Sequence, residues 1–208
     1  MEAGWELTND GRRRDLYFQN CTKLQKGCSH SPLQFQAIID RDNFCPWCSQ
    51  RLIDLVDLIP VEFGIFDECD SIDRIRVTTC EICTAFGDVF GTFDESGNSQ
   101  WSSSNSRPHY LPDNSENWGK LPRNSLSSIS RRNPLSAASE FLPTTFSQVG
   151  GHPTWIQDAS YPNCSTCSKT MMFLAQVDHD DLEDVSEGIY YAFICPDCRT
   201  TATNYQQS

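Results

Sequence analysis

The chain is short of positive charge: 16 Lys and Arg stand against 28 Asp and Glu, for a formal net charge of −12 over 208 residues. That balance repels phosphate backbones and anionic bilayers, so nucleic-acid and membrane partners are not expected and a basic protein partner is. Long apolar runs are missing too. None approaches the roughly 18 to 20 residues that span a bilayer, and residues 1–30 lack the basic, apolar, small-residue order of a secretory signal. A cytoplasmic location is the expectation. Gly150-Gly151 lacks the longer glycine pattern of a phosphate cradle and reads as a turn. His109, His152 and His179 are candidate general bases, yet no motif sets a Ser, Cys or carboxylate beside any of them. The expectation is a protein that is not an enzyme.

Cysteine, by contrast, is abundant. Of 11 cysteines, eight fall in four Cys-x-x-Cys pairs. An odd total argues against a disulfide framework, and in a reducing compartment paired thiols favour zinc. Cys45/Cys48 and Cys80/Cys83 flank the 31 residues from Ser49 to Thr79, and Cys164/Cys167 and Cys195/Cys198 flank the 27 from Ser168 to Ile194. Each set supplies the four thiolates of a tetrahedral site, so two structural Zn²⁺ ions are expected. Four thiolates saturate zinc and leave no position for a reactive water, which excludes a catalytic zinc. A redox Cys-x-x-Cys needs a helix start in a βαβ pattern, and no pair has one. Cys21, Cys28 and His30 lie close in sequence but lack an evident fourth ligand, and Cys69 reads as an ordinary small residue.

Patterning divides the chain into an N-terminal zinc lobe (1–95, irregular over 1–42), a Ser/Asn/Pro-rich connecting segment (96–145) and a C-terminal zinc lobe (146–208). Between Arg51 and Ile59, Leu52, Leu55, Val56 and Ile59 match a helical face while the composition suits a strand. Ile72–Thr78 alternates and delivers Cys80, which favours strands on both sides. Thr84–Phe93 reads as strand and turn. Met171–Val177 and Ile189–Ile194 are apolar strands joined by an acidic loop carrying Asp178, Asp180, Asp181, Glu183, Asp184 and Glu187. Trp101, Tyr110 and Trp118 punctuate the polar segment, as anchors for a partner or as packing on the protein's own sheet. Cysteine pair, strand, loop, strand, cysteine pair occurs twice, offset by 119 residues at Cys45/Cys164 and 115 at Cys80/Cys195. An internal duplication follows as an expectation.

Gly150-Gly151-His152-Pro153-Thr154-Trp155-Ile156-Gln157, the Cys164/Cys167 pair, Met172–Asp178 and Gly188–Cys195 together resemble the YwqG-like family (DUF1963) over residues 146–200. A related pattern of Gly-Gly, Trp, Cys-x-x-Cys and Leu-x-Gln-x occurs in the programmed cell death protein 2 family. The resemblance implies a β-rich α+β fold with an internal repeat: two related antiparallel zinc-clamped lobes. It also implies an immunity protein that occludes the basic cleft of a bacterial toxin domain or, through the second family, a chaperone for a basic ribosomal or RNA-binding client. The acidic loop together with Trp101 and Trp118 is the candidate partner surface.

Overall fold

In the computed structural model, the described residues are 5–7, 13–15, 21–26, 35–59, 72–112, 121, 123, 126–131, 147–151, 153–182 and 187–208. They form β1 (Trp5–Leu7), β2 (Arg13–Asp15), β3 (Cys21–Lys26), β4 (Phe35–Phe44), β5 (Arg51–Leu58), β6 (Ile75–Thr79) and β7 (Val89–Phe93). β8 (Ser99–Trp101), β9 (Leu126–Arg131), β10 (Gln148–Gly150), β11 (Met172–Asp178), β12 (Ile189–Cys195) and β13 (Thr200–Gln206) follow. An eight-stranded sheet runs β8-β7-β13-β12-β11-β10-β3-β9, a three-stranded sheet runs β4-β5-β6, and β1 pairs with β2. Every pairing is antiparallel.

β12 shows why the apolar runs are continuous. All seven of its residues are buried, because successive side chains leave opposite faces of the sheet and both faces are covered. Tyr190, Ala192 and Ile194 pack with Leu55, Val56, Ile75 and Val77 of the small sheet. Ile189, Tyr191, Phe193 and Cys195 join Met171, Phe173 and Ala202 on the other face, against Trp155 and Tyr161. One core therefore lies between the sheets, and a second lies beneath the segment that crosses the outer face of the large one.

The helix-like spacing in β5 has a strand explanation. Against β6, Asp54 pairs with Thr78 but Asp57 with Arg76, so β5 holds one extra residue there. That bulge turns Leu55 and Val56 to the same inner face, and two adjacent inward residues imitate a 3.6-residue repeat. β11 carries the same device: Phe173 pairs with Phe193 and Ala175 with Ala192, which puts Leu174 and Ala175 together in the inter-sheet core. Outward from β5, Asp54 takes bonds of 2.8 and 3.0 Å from Arg41 and 2.8 Å from Thr78. Asp57 takes 2.6 and 2.7 Å bonds from Arg74 and 3.0 Å from Arg76. Gly91 lets the sheets approach, since a Cβ there would lie 2.7 Å from the Thr201 hydroxyl and 3.4 Å from Thr78 O.

Several expectations change. The described residues are β-rich, and the only helical element among them is the short 3-10 turn Cys83–Phe86. Residues 1–42 are not irregular throughout, for they include β1 to β3 and most of β4. The connecting segment contributes β8 and β9. Strands from both sides of residue 96 share the large sheet, with β7 paired to β13 and β3 to β10.

Candidate metal centres

Each four-cysteine set comes together at the ends of two adjacent strands. Antiparallel pairing returns β6 to the start of β5 and β12 to the start of β11, so a cysteine pair before one strand meets a pair after the next. The first pair of each set makes the same tight turn. Cys45 N–H donates to Gln50 O at 2.7 Å and Ser49 N–H to Cys45 O at 2.9 Å; Cys164 N–H donates to Lys169 O and Ser168 N–H to Cys164 O, both at 2.8 Å. Ser49 and Ser168 both sit at φ 60°. Backbone N–H groups also reach the sulfurs, Trp47 to Cys45 and Thr166 to Cys164, each at 3.4 Å.

In both sets the four sulfurs lie within 4.8 Å of one another. Bonds of about 2.3 Å to a tetrahedral ion place sulfurs about 3.8 Å apart. The observed Sγ separations are 3.6 Å for Cys45–Cys83, 3.4 Å for Cys48–Cys80 and 3.8 Å for Cys167–Cys195. The cages thus fit a metal ion of that size. Crowding also splits the thiols: Cys48, bonded first by Cys45, is held far below the usual thiol range, and Cys80 is raised, chiefly by its bond to Cys45. A bound divalent cation would favour the thiolate at every position.

The surroundings differ. At the first centre Cys45, Cys80 and Cys83 are buried with Leu52, Ile82, Val89 and Leu111, and Trp47 covers them, meeting Trp101 edge-on at 4.9 Å. Glu81, inside the second pair, accepts from Arg123 at 2.9 and 3.0 Å and from Leu121 N–H at 2.7 Å. Thr79 bonds both Thr84 and Thr203 at 2.6 Å, and Tyr190 OH donates to Glu81 O at 3.0 Å, so this centre is tied to the large sheet. At the second centre only Cys164 and Cys195 are buried, while Cys167 and Cys198 are half-buried. Its exposed neighbours are Lys169 and Asp197, paired at 2.9 Å.

The second centre also anchors a strap, residues 153–171, across the outer face of the large sheet. Trp155 lies 4.7 Å from Tyr191 and 6.2 Å from Phe193, and Tyr161 lies 5.9 Å from Phe193. Polar side chains of the sheet meet its backbone. Thr154 N–H donates to Gln176 at 2.8 Å, Tyr191 OH donates to Thr154 O at 2.7 Å, and Gln157 N–H donates to Gln206 at 3.0 Å. Gln206 donates to Asp158 O at 2.9 Å and Asn204 to Ser160 O at 3.0 Å. The polar composition of β13 hid this strand from pattern reading, although six of its seven residues are buried.

Of the acidic loop, Asp178 is buried and accepts from Asp180 N–H at 3.0 Å, and Asp181 accepts from Ser147 N–H at 2.6 Å. Asp180 and Glu187 are exposed; Glu183 and Asp184 lie outside the described residues. Trp101 packs inward on Trp47, Tyr110 is exposed, and Trp118 lies outside the described residues. So do His152, Cys28, His30 and Cys69, and of Cys21 only its place in β3 is described. His109 sits beside Tyr110 at 4.9 Å, and His179 lies 5.3 Å from Tyr190 and 5.7 Å from Tyr205.

Fold and sites together define an antiparallel β protein with two four-cysteine centres that can hold metal. Over 209 residues the chain is 47% identical to a Salmonella typhimurium protein named "Uncharacterized protein YpfL". The match takes in 100% of this chain and 49% of that protein, so the chain spans about half the length of the relative. No family model and no solved structure matches the chain. Among the described residues no helix is long and apolar enough to cross a membrane.

Proposed function

We propose that this chain is a non-enzymatic binding protein, clamped by two structural zinc ions, that meets a basic protein partner through an acidic surface. The observation that carries the reading is the ligand set: each centre offers four cysteine sulfurs at tetrahedral spacing, which fills the coordination shell and assigns the metal to scaffolding. The charge of −12 supplies the attraction for a basic partner. The resemblance of residues 146–200 to the YwqG-like family supports an immunity role, in which the protein occludes the basic cleft of a bacterial toxin domain from within the cytoplasm. Of the acidic loop, exposed Asp180 and Glu187 are the described residues that remain to face such a partner.

Elemental analysis and co-expression test this reading. We expect close to two zinc ions per chain, a complex with one basic protein, and loss of that complex in the Asp180→Lys/Glu187→Lys double variant. A folded chain without zinc sinks the structural half. A complex unaffected by salt and by the double charge reversal sinks the acidic-surface half. Recovery of a ribosomal or other RNA-binding client in place of a toxin would assign the chaperone role implied by the programmed cell death protein 2 resemblance.

A further inference from the structure

The two centres share a ligand set but differ in how an oxidant reaches their sulfurs. In the first, Cys45 is 2% exposed and Cys80 and Cys83 are 0% exposed, beneath Trp47, Ile82 and Leu111, and Cys48 alone is half-buried. In the second, Cys167 and Cys198 are half-buried, so two of four sulfurs are reachable from solvent. Neighbouring charge does not separate the two, since Lys169 pairs with Asp197 beside the second centre as Arg123 pairs with Glu81 beside the first. Sulfur geometry permits a disulfide in either centre, since Cys167 and Cys195 lie 3.8 Å apart and Cys48 and Cys80 3.4 Å apart, but in the first centre Cys48 is the one half-buried sulfur of four.

We propose that the second centre is an oxidant-responsive metal site, emptied by hydrogen peroxide through a Cys167–Cys195 disulfide while the first centre keeps its metal. The inference rests on the zinc reading above. The Cys167 thiolate attacks one peroxide oxygen; the O–O bond breaks, and the other oxygen leaves as hydroxide and is protonated to water. The Cys195 thiolate then attacks the sulfenic sulfur of Cys167. The S–O bond breaks, the second hydroxide is protonated to water, and the S–S bond forms. Two electrons pass from the two sulfurs to peroxide, and solvent supplies two protons. Zinc takes no part in the electron transfer. Having lost two of four ligands, it leaves. The sulfurs close from 3.8 Å to about 2.05 Å. That movement disturbs the anchor of the strap, and Trp155, which packs in the same cluster as Cys167 and Cys198, reports it.

The test uses the intact chain loaded with zinc, treated with peroxide, and followed by a chromogenic zinc chelator, tryptophan fluorescence and disulfide mapping. One equivalent of zinc is expected to leave about tenfold faster than the other, because accessible thiolates oxidise first. The Cys167–Cys195 disulfide and the Trp155 signal should appear in that phase, and thiol reductant with added zinc should reverse both. The Cys167→Ser variant should lose the fast phase and retain the slow one. Both equivalents leaving together, or first disulfides at Cys45, Cys48, Cys80 or Cys83, overturn the proposal while leaving two structural zincs in place. A purified chain without zinc overturns the zinc reading itself, which metal analysis before treatment reveals.

Discussion

The two four-cysteine centres begin with the same turn and end in different surroundings. Cys45–Gln50 and Cys164–Lys169 form matching backbone hydrogen bonds around a serine at φ 60°. Each leads into a strand with a one-residue bulge. Beyond that the units diverge. The first sends Cys83 into a 3-10 turn, and its strands β6 and β7 belong to different sheets, so the centre sits at a junction. The second sends Cys198 through Arg199, at φ 50°, into β13, which continues the same sheet. A cysteine cage at a junction joins layers. One at a sheet end fixes only the strap and one turn.

That contrast ranks the effects of losing each metal. Cys83→Ser removes a fully buried sulfur from the junction; under the zinc proposal this removes a ligand, and a structural zinc contributes apparent binding energy of about 10–16 kcal/mol in small domains, comparable with total folding stability of about 5–15 kcal/mol. The variant should be insoluble or unfolded by circular dichroism. Cys198→Ser should bind about one zinc fewer and remain folded, with protection from hydrogen exchange lost over residues 153–171 and kept in β5 and β6. Equal unfolding in the two variants would erase the distinction.

Much of this organisation was legible in the sequence. Both four-cysteine clusters follow from spacing, since each Cys-x-x-Cys turn brings two sulfurs together at a strand end. β11 and β12 follow from bounded apolar runs, because strands buried on both faces need no polar alternation. The bulge in β5 was not legible, as it offsets the apolar period and leaves helix and strand equally matched. Nor was β13, whose Thr200, Thr201, Thr203 and Asn204 are polar by composition yet buried between β12 and β7. A run of threonines reads as a loop until the strands on either side are known. The acidic loop reads from sequence as a candidate partner surface, but Asp178 is buried, and Asp178 and Asp181 accept from the local backbone.

A smaller effect separates the outer faces of the two sheets. On β5, Asp57 is 5% exposed and binds two guanidiniums. Removing one partner from such a cluster costs about 3–5 kcal/mol, since buried charge is left uncompensated. Part of that is lost here to solvent, because the Arg74 side chain is 43% exposed. Asp57→Ala should therefore destabilise by about 2–3 kcal/mol in denaturant unfolding. A change below about 0.5 kcal/mol would show that the arginines find solvent without penalty.

The smallest effect probes the neutral counterpart on the other face. Asn204 donates to Ser160 O at 3.0 Å, also bonds the carboxylate of exposed Asp88 and is 7% exposed, so Asn204→Ala deletes one hydrogen bond of the strap and one to Asp88, and leaves both acceptors, on exposed residues, to water. An acceptor that water can reach escapes most of the burial penalty, and the expected loss is about 1 kcal/mol. The strap keeps Trp155 and Tyr161 against Phe193 and its bonds to Gln176 and Gln206, so the change should stay local. Peptides around Ser160 should exchange faster, while those in β5 keep their protection. If Asn204→Ala instead releases the second metal, the strap and the cysteine cage form one cooperative unit, and the outer face opens as a whole.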